Sequence, residues 1–187
     1  EIGDREGEAM SLNNLGNIAL ARDDLAEAER LYRESLAIER EIGDRGGEAD
    51  SLANLGRIAG ARDDLAEAER LLRESLIIER EIGNREGEAM LLNNLGDIAK
   101  IRNNLDEAQK LQFECLAILR IHLADSEEGE AVVLQALDDI ANSLQELGTT
   151  ANSNGNYDEQ RRMYTEAVRI RREIGIPIDQ WFIDNGY

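Results

Sequence analysis

Residues 1–40 and 41–80 differ at only seven positions, and four of the seven fall on one helical stripe. Met10, Asn13, Asn17 and Leu20 become Asp50, Ala53, Arg57 and Gly60, spaced so that a helix presents all four on one face. Nearly everything else is held fixed. A chain that repeats its scaffold and varies one surface has the layout of a stacked repeat protein. Framework residues pack against neighbouring units and the free stripe meets a partner. The expected role is recognition rather than chemistry.

Each unit reads as two helices. Leu12, Leu15, Ile18 and Ala19 set an apolar face at helical spacing, on a first helix running from about Glu8 to Ala21. Asp24 is placed to cap a second helix, with Glu27 three residues on to complete a capping box. Asp64 with Glu67, Asn104 with Glu107 and Asn156 with Glu159 repeat the signal. Leu25, Ala28, Leu31, Tyr32, Ser35 and Ile38 supply the second buried face. Gly43, Gly83 and Gly175 stand where a left-handed residue ends a helix. Strand signals are missing, and the expected fold class is all-α.

These residues resemble the tetratricopeptide repeat. Leu12, Leu15, Gly16, Ala19, Ala28 and Tyr32 fall at its spacing, and the match recurs at Leu52, Leu55, Gly56, Ala59, Ala68 and Leu72. It recurs again at Leu92, Leu95, Gly96, Ala99 and Ala108, and at Leu144, Leu147, Gly148, Ala151, Tyr164 and Ala167. The 40-residue period is similar to the lengthened repeats of Pins-type adaptors and of the sensor arms of signalling ATPases. The resemblance implies a right-handed α-solenoid of helix-turn-helix repeats, a single domain over 1–187. Its units lie at about 1–40, 41–80, 81–120 and 121–175, with a C-terminal cap at 176–187. It also implies a protein or peptide ligand in a concave groove lined by the first helices.

Asn14, Asn54 and Asn94 occupy one position in three successive units. A carboxamide offers an acceptor and two donors, so such a row can hold an extended backbone whatever its side chains. This looks like the asparagine ladder of the O-GlcNAc transferase superhelix; in the fourth unit the equivalent is Glu146. Around the row, the variable stripe presents Met10, Asn13 and Asn17, then Asp50 and Arg57, then Met90, Asn93, Asp97 and Lys100. Arg57 and Lys100 could receive a partner carboxylate, Asp50 and Asp97 a partner cation. The basic clamp that co-chaperones use for a C-terminal carboxylate is not reproduced.

The fourth unit carries about a dozen extra residues between Ile121 and Ala141, yet its apolar stripe continues without a breaker. One long helix from about Gly129 to Ser153 fits better than a loop. Arg33, Glu39 and Ser11 of the first unit become Phe113, Leu119 and Leu91 in the third, which suggests burial beneath that helix. Ile178, Trp181 and Phe182 are expected to form a lid on the last repeat.

A formal charge of -19 argues against nucleic acid or an anionic membrane as partner, since both require cation clusters. One histidine, His122, in the expected irregular junction, and one cysteine, Cys115, leave a zinc site improbable. No glycine loop suited to phosphate is present. The expectation is therefore a non-enzymatic module without cofactor or metal. A cytoplasmic setting is favoured, and the chain, which starts mid-pattern, reads as part of a longer protein. Alternatives are a sensor or self-assembly arm associating end to end, or an engineered consensus-like array.

Overall fold

The computed structural model describes residues 2–125 and 130–187, with side chains described except at 2–3, 122–133 and 136. Its elements are α1 (Ile2–Ala21), α2 (Leu25–Ile42), α3 (Arg45–Ala61), α4 (Leu65–Ile82) and α5 (Arg85–Ile101), followed by α6 (Leu105–Asp125), α7 (Glu130–Ser153), α8 (Tyr157–Glu173) and α9 (Gln180–Asp184). The described residues contain no strand. Two compact units are present, Glu1–Leu95 and Gly96–Tyr187.

The turn chemistry explains the helix boundaries. Asp24, Asp64 and Asn156 accept the backbone N–H three residues on, from Glu27, Glu67 and Glu159. The reciprocal half of the capping box is absent in the first two turns. The Asp24 N–H already donates to the Ala19 carbonyl, and Glu27 and Glu67 pair with Arg30 and Arg70 instead. Gly43 and Gly83 adopt the left-handed conformation, with φ of 74° and 76°, that ends α2 and α4.

In the first unit α1 packs on α2, α3 on α4, and α2 on α3. Ala28 and Ala68 are fully buried where the paired helices approach. Leu52, Leu55 and Ile58 are buried on α3, but Leu15 and Ile18 at the same register of α1 are not, being 50% and 48% exposed. Periodicity marks both faces as apolar; among the described residues only α3 of the two has a helix against that face.

In the second unit α6 packs on α7 and α7 on α8. The long helix is present as α7, although its expected first residue, Gly129, lies outside the described residues. The helix α6 continues to Asp125 through the segment expected to be irregular. It therefore includes His122, whose side chain lies outside the described residues. Phe113 is half-buried, with the Arg162 guanidinium 5.1 Å above its ring, and Cys115 is buried. Phe182 is buried with Tyr164 and Val168, whereas Trp181 beside it remains 49% exposed.

The change of Glu39 to Leu119 suggests new burial, but Glu39 is itself only 2% exposed, so Leu119 replaces a residue that is already buried. Ser35 Oγ lies 2.7 Å from the Ala9 carbonyl and 2.8 Å from Glu39 Oε1, while Glu39 Oε2 is buried without a partner. One hydroxyl proton cannot serve both oxygens, so Ser35 leaves either the Ala9 carbonyl or the Glu39 carboxyl short of a donor. Burial pushes this carboxyl up, opposed by the Ser51 and Ser35 hydroxyls and reinforced by the Asp44 and Asp50 charges. A folded-state value above the unfolded one means the fold binds the proton more tightly. Stability from this group is therefore full below the ordinary carboxylate range and falls as pH rises through the folded value. Glu39→Gln is expected to raise stability at pH 7 by about 1 kcal/mol, roughly one hydrogen bond. The gain should shrink as pH falls toward 4; urea unfolding of variant and parent across pH checks it, and a pH-independent difference would refute it.

Candidate functional site

The candidate recognition surface in the first unit is built on α1, α3 and the first part of α5. A side-chain bond crosses from α1 to α3: Asn13 Nδ2 donates to Ser51 Oγ at 3.3 Å. Met10 and Met90 are 62% and 53% exposed, at the same register of α1 and α5. Asn14 is exposed and Asn54 and Asn94 are half-buried, so all three carboxamides keep access to solvent.

Several candidates are already engaged within the repeat. Asn17 Oδ1 accepts from the Tyr32 hydroxyl at 2.8 Å, tying α1 to α2. The Arg57 guanidinium donates to Asn54 Oδ1 at 3.3 Å on its own helix. Asn13 spends one amide hydrogen on Ser51. Asn14 and Asn94, by contrast, have no side-chain bond among the described residues, and Asn93 is half-buried beside Asn94. Asp50 is exposed, and its carboxyl is held above its ordinary value by partial desolvation and by the Asp44 charge.

Asp97 and Lys100 belong to the second unit. There Lys100 Nζ donates to Ser143 Oγ at 2.6 Å and pairs with Asp97 at 2.8 Å and Glu146 at 3.5 Å. Its three donors are accounted for. Gln112, fully buried on α6, bonds the same Ser143.

Elsewhere in the first unit, a hollow of about 360 Å³ opens between α2, α3 and α4, and none of the candidate residues lines it. Its cations are neutralised: Arg62 pairs with Glu29, Arg40 with Glu48 and Glu74, and Arg70 with Glu67 and Glu74. That pairing leaves no uncompensated charge to attract an anion. Burial pushes Glu48 up, but hydrogen bonds from Arg40 and Arg45 outweigh it and hold the carboxyl below its ordinary value. Glu88 is held low in the same way by Arg80 and Arg85.

No cluster of three metal-ligating side chains occurs among the described residues. Nor is any described helix long and apolar enough to cross a membrane.

A tetratricopeptide repeat family model matches residues 7–78, and a second tetratricopeptide repeat model matches residues 89–126 and 133–174. No curated protein matched the chain.

Proposed function

The chain belongs to the tetratricopeptide repeat family, whose repeats generally serve as protein–protein interaction modules, and on that premise we propose that it binds an extended partner segment along its first helices. The observation that carries this reading is the recurrence of Asn14, Asn54 and Asn94 at one register, each with solvent access. Their carboxamides hold the partner's backbone. Exposed Met10 and Met90 give adaptable apolar contacts, and Asp50 and Arg57 select by charge. The intramolecular bonds to Asn13, Asn17 and Asn54 fix those side chains in place, so less freedom is lost on binding. The role is that of a non-catalytic adaptor.

The test is selection of peptides from a displayed random library against the intact chain, followed by titration of the selected peptides into Asn14→Ala/Asn54→Ala/Asn94→Ala. Each lost hydrogen bond should cost about 0.5–1.5 kcal/mol of affinity. Melting should scarcely move, because solvent-facing polar groups contribute little to stability. Unchanged affinity in the triple variant would remove the asparagine row from the site.

A further inference from the structure

The second unit holds a hollow of about 280 Å³ between α6, α7 and α8, the counterpart of the one that α2, α3 and α4 form in the first. In the first unit its charges cancel within the fold. Arg62, just past α3, donates to Glu29 of α2, and Glu67 of α4 pairs with Arg70. At the registers of Arg62, Glu29 and Glu67 the second unit carries Asn154, Gln109 and Glu159. The arginine that serves this gap from within the fold is gone. A second cation is diverted as well: Arg162, at the register of Arg70, lies 5.1 Å above the Phe113 ring instead of on Glu159. Neither Gln109 nor Glu159 has a side-chain partner among the described residues, and Gln109 Nε2 and Glu159 Oε1 are buried unbonded. The ends that solvent reaches are therefore Gln109 Oε1 and Glu159 Oε2, and both are acceptors. Asp106 lines the same hollow, and no cation does.

We propose that this hollow receives an arginine side chain of a protein partner, its guanidinium standing where that of Arg62 stands in the first unit. A guanidinium carries five donors and no acceptor, which matches walls whose reachable polar ends accept. Its planar fork bridges Gln109 on α6 and Glu159 on α8, a span that a single ammonium serves less well. Leu105 and Ala151 offer apolar surface to the methylene stem. Two carboxylates without a lining cation, in a chain of formal charge -19, favour a positive guest. Free arginine fits less well than an arginine within a polypeptide, because its α-carboxylate would meet Asp106 and Glu159 with no cation to receive it. The hollow belongs to the second unit and the asparagine row to the first, so either proposal can fail alone.

The experiment titrates N-acetyl-arginine methylamide into the isotope-labelled full chain and follows amide chemical shifts, with the citrulline and lysine counterparts as controls. Saturable shifts should appear across residues 103–109 and 154–163. Citrulline has nearly the same shape without the charge and should bind about tenfold more weakly, the worth of a charge-assisted hydrogen bond. Glu159→Gln should weaken the arginine probe by about the same factor. Asn154→Arg restores the guanidinium of the first unit from within the chain, and should abolish the shifts while holding or raising the melting point. Should that variant fail to fold, Glu159→Gln still decides, since its side chain bonds nothing in the parent. Equal binding of arginine and citrulline, or of arginine and lysine, overturns the proposal. So does the absence of saturable shifts up to the solubility of the probe, which would leave the hollow to water, and so does binding that survives both variants.

Discussion

Phe182→Ala is expected to destabilise the second unit by about 3–5 kcal/mol, the range for emptying a buried aromatic site. Phe182 is 3% exposed and meets the Tyr164 ring edge-on, with centroids 5.2 Å apart. Val168 completes its pocket, and Ile178 and Tyr187 pack at the margin. The chain is held there from both sides. The Tyr187 N–H donates to the Phe182 carbonyl at 3.0 Å, and Asp179 caps the short helix by accepting from the Trp181 N–H at 2.8 Å. Trp181→Ala should cost much less, about 1 kcal/mol, because half of the indole is already wet and its remaining contacts are ring edges and a stack on Tyr187. Denaturant unfolding of both variants, with hydrogen exchange across α8, measures the difference. Equal losses, or a larger one at Trp181, would contradict this packing.

Gly148→Ala is expected to be the costliest glycine-to-alanine change among the described helical glycines. A Cβ at Gly148 would stand 2.5 Å from Tyr164 Cε1 and 2.6 Å from Cδ1, inside van der Waals contact. The ring cannot swing aside: Phe182 and Tyr187 flank it, and its hydroxyl lies 3.0 Å from Thr149 Oγ1. Relief requires α7 and α8 to separate, at about 1–3 kcal/mol for an overpacked contact. Gly96→Ala provides the contrast, since its nearest neighbour is Gln112 Cγ at 3.4 Å, at the edge of ordinary van der Waals contact. There the gain in helix propensity, up to about 1 kcal/mol, should win. Urea midpoints of the two variants should therefore move in opposite directions.

The parts of this fold legible in the sequence are those governed by neighbours along the chain. Asp24, Asp64 and Asn156 cap because a side-chain oxygen can reach only a few residues, and Gly43 and Gly83 end helices because few residues tolerate positive φ. The unbroken stripe through Leu137, Ala141 and Leu144 identified α7 for the same reason. What the sequence could not supply was which face has a neighbour. Leu15 and Leu55 are the same residue in the same local context, and only the presence of α2 against α3 separates them. The same holds at Glu39. A glutamate in an arginine-rich helix reads as solvated until Ser35, Ser51 and Gly47 are seen to enclose it. For the asparagine row, recurrence located the candidates, but the bond from Tyr32 to Asn17 and the three-way commitment of Lys100 required coordinates.

Cys115, the one cysteine of the chain, is 2% exposed, and burial pushes its thiol up to about 12. At pH 7 only about one such thiol in 10⁵ is ionised, and that sulfur is shielded from reagents as well. The protein is thus close to silent toward maleimides and iodoacetamides without removal of its native cysteine. A cysteine placed at Asp50 or Met90 becomes a uniquely addressable position on the variable stripe. A dye or spin label attached there would report occupancy of that surface while the packing around Cys115 stays intact.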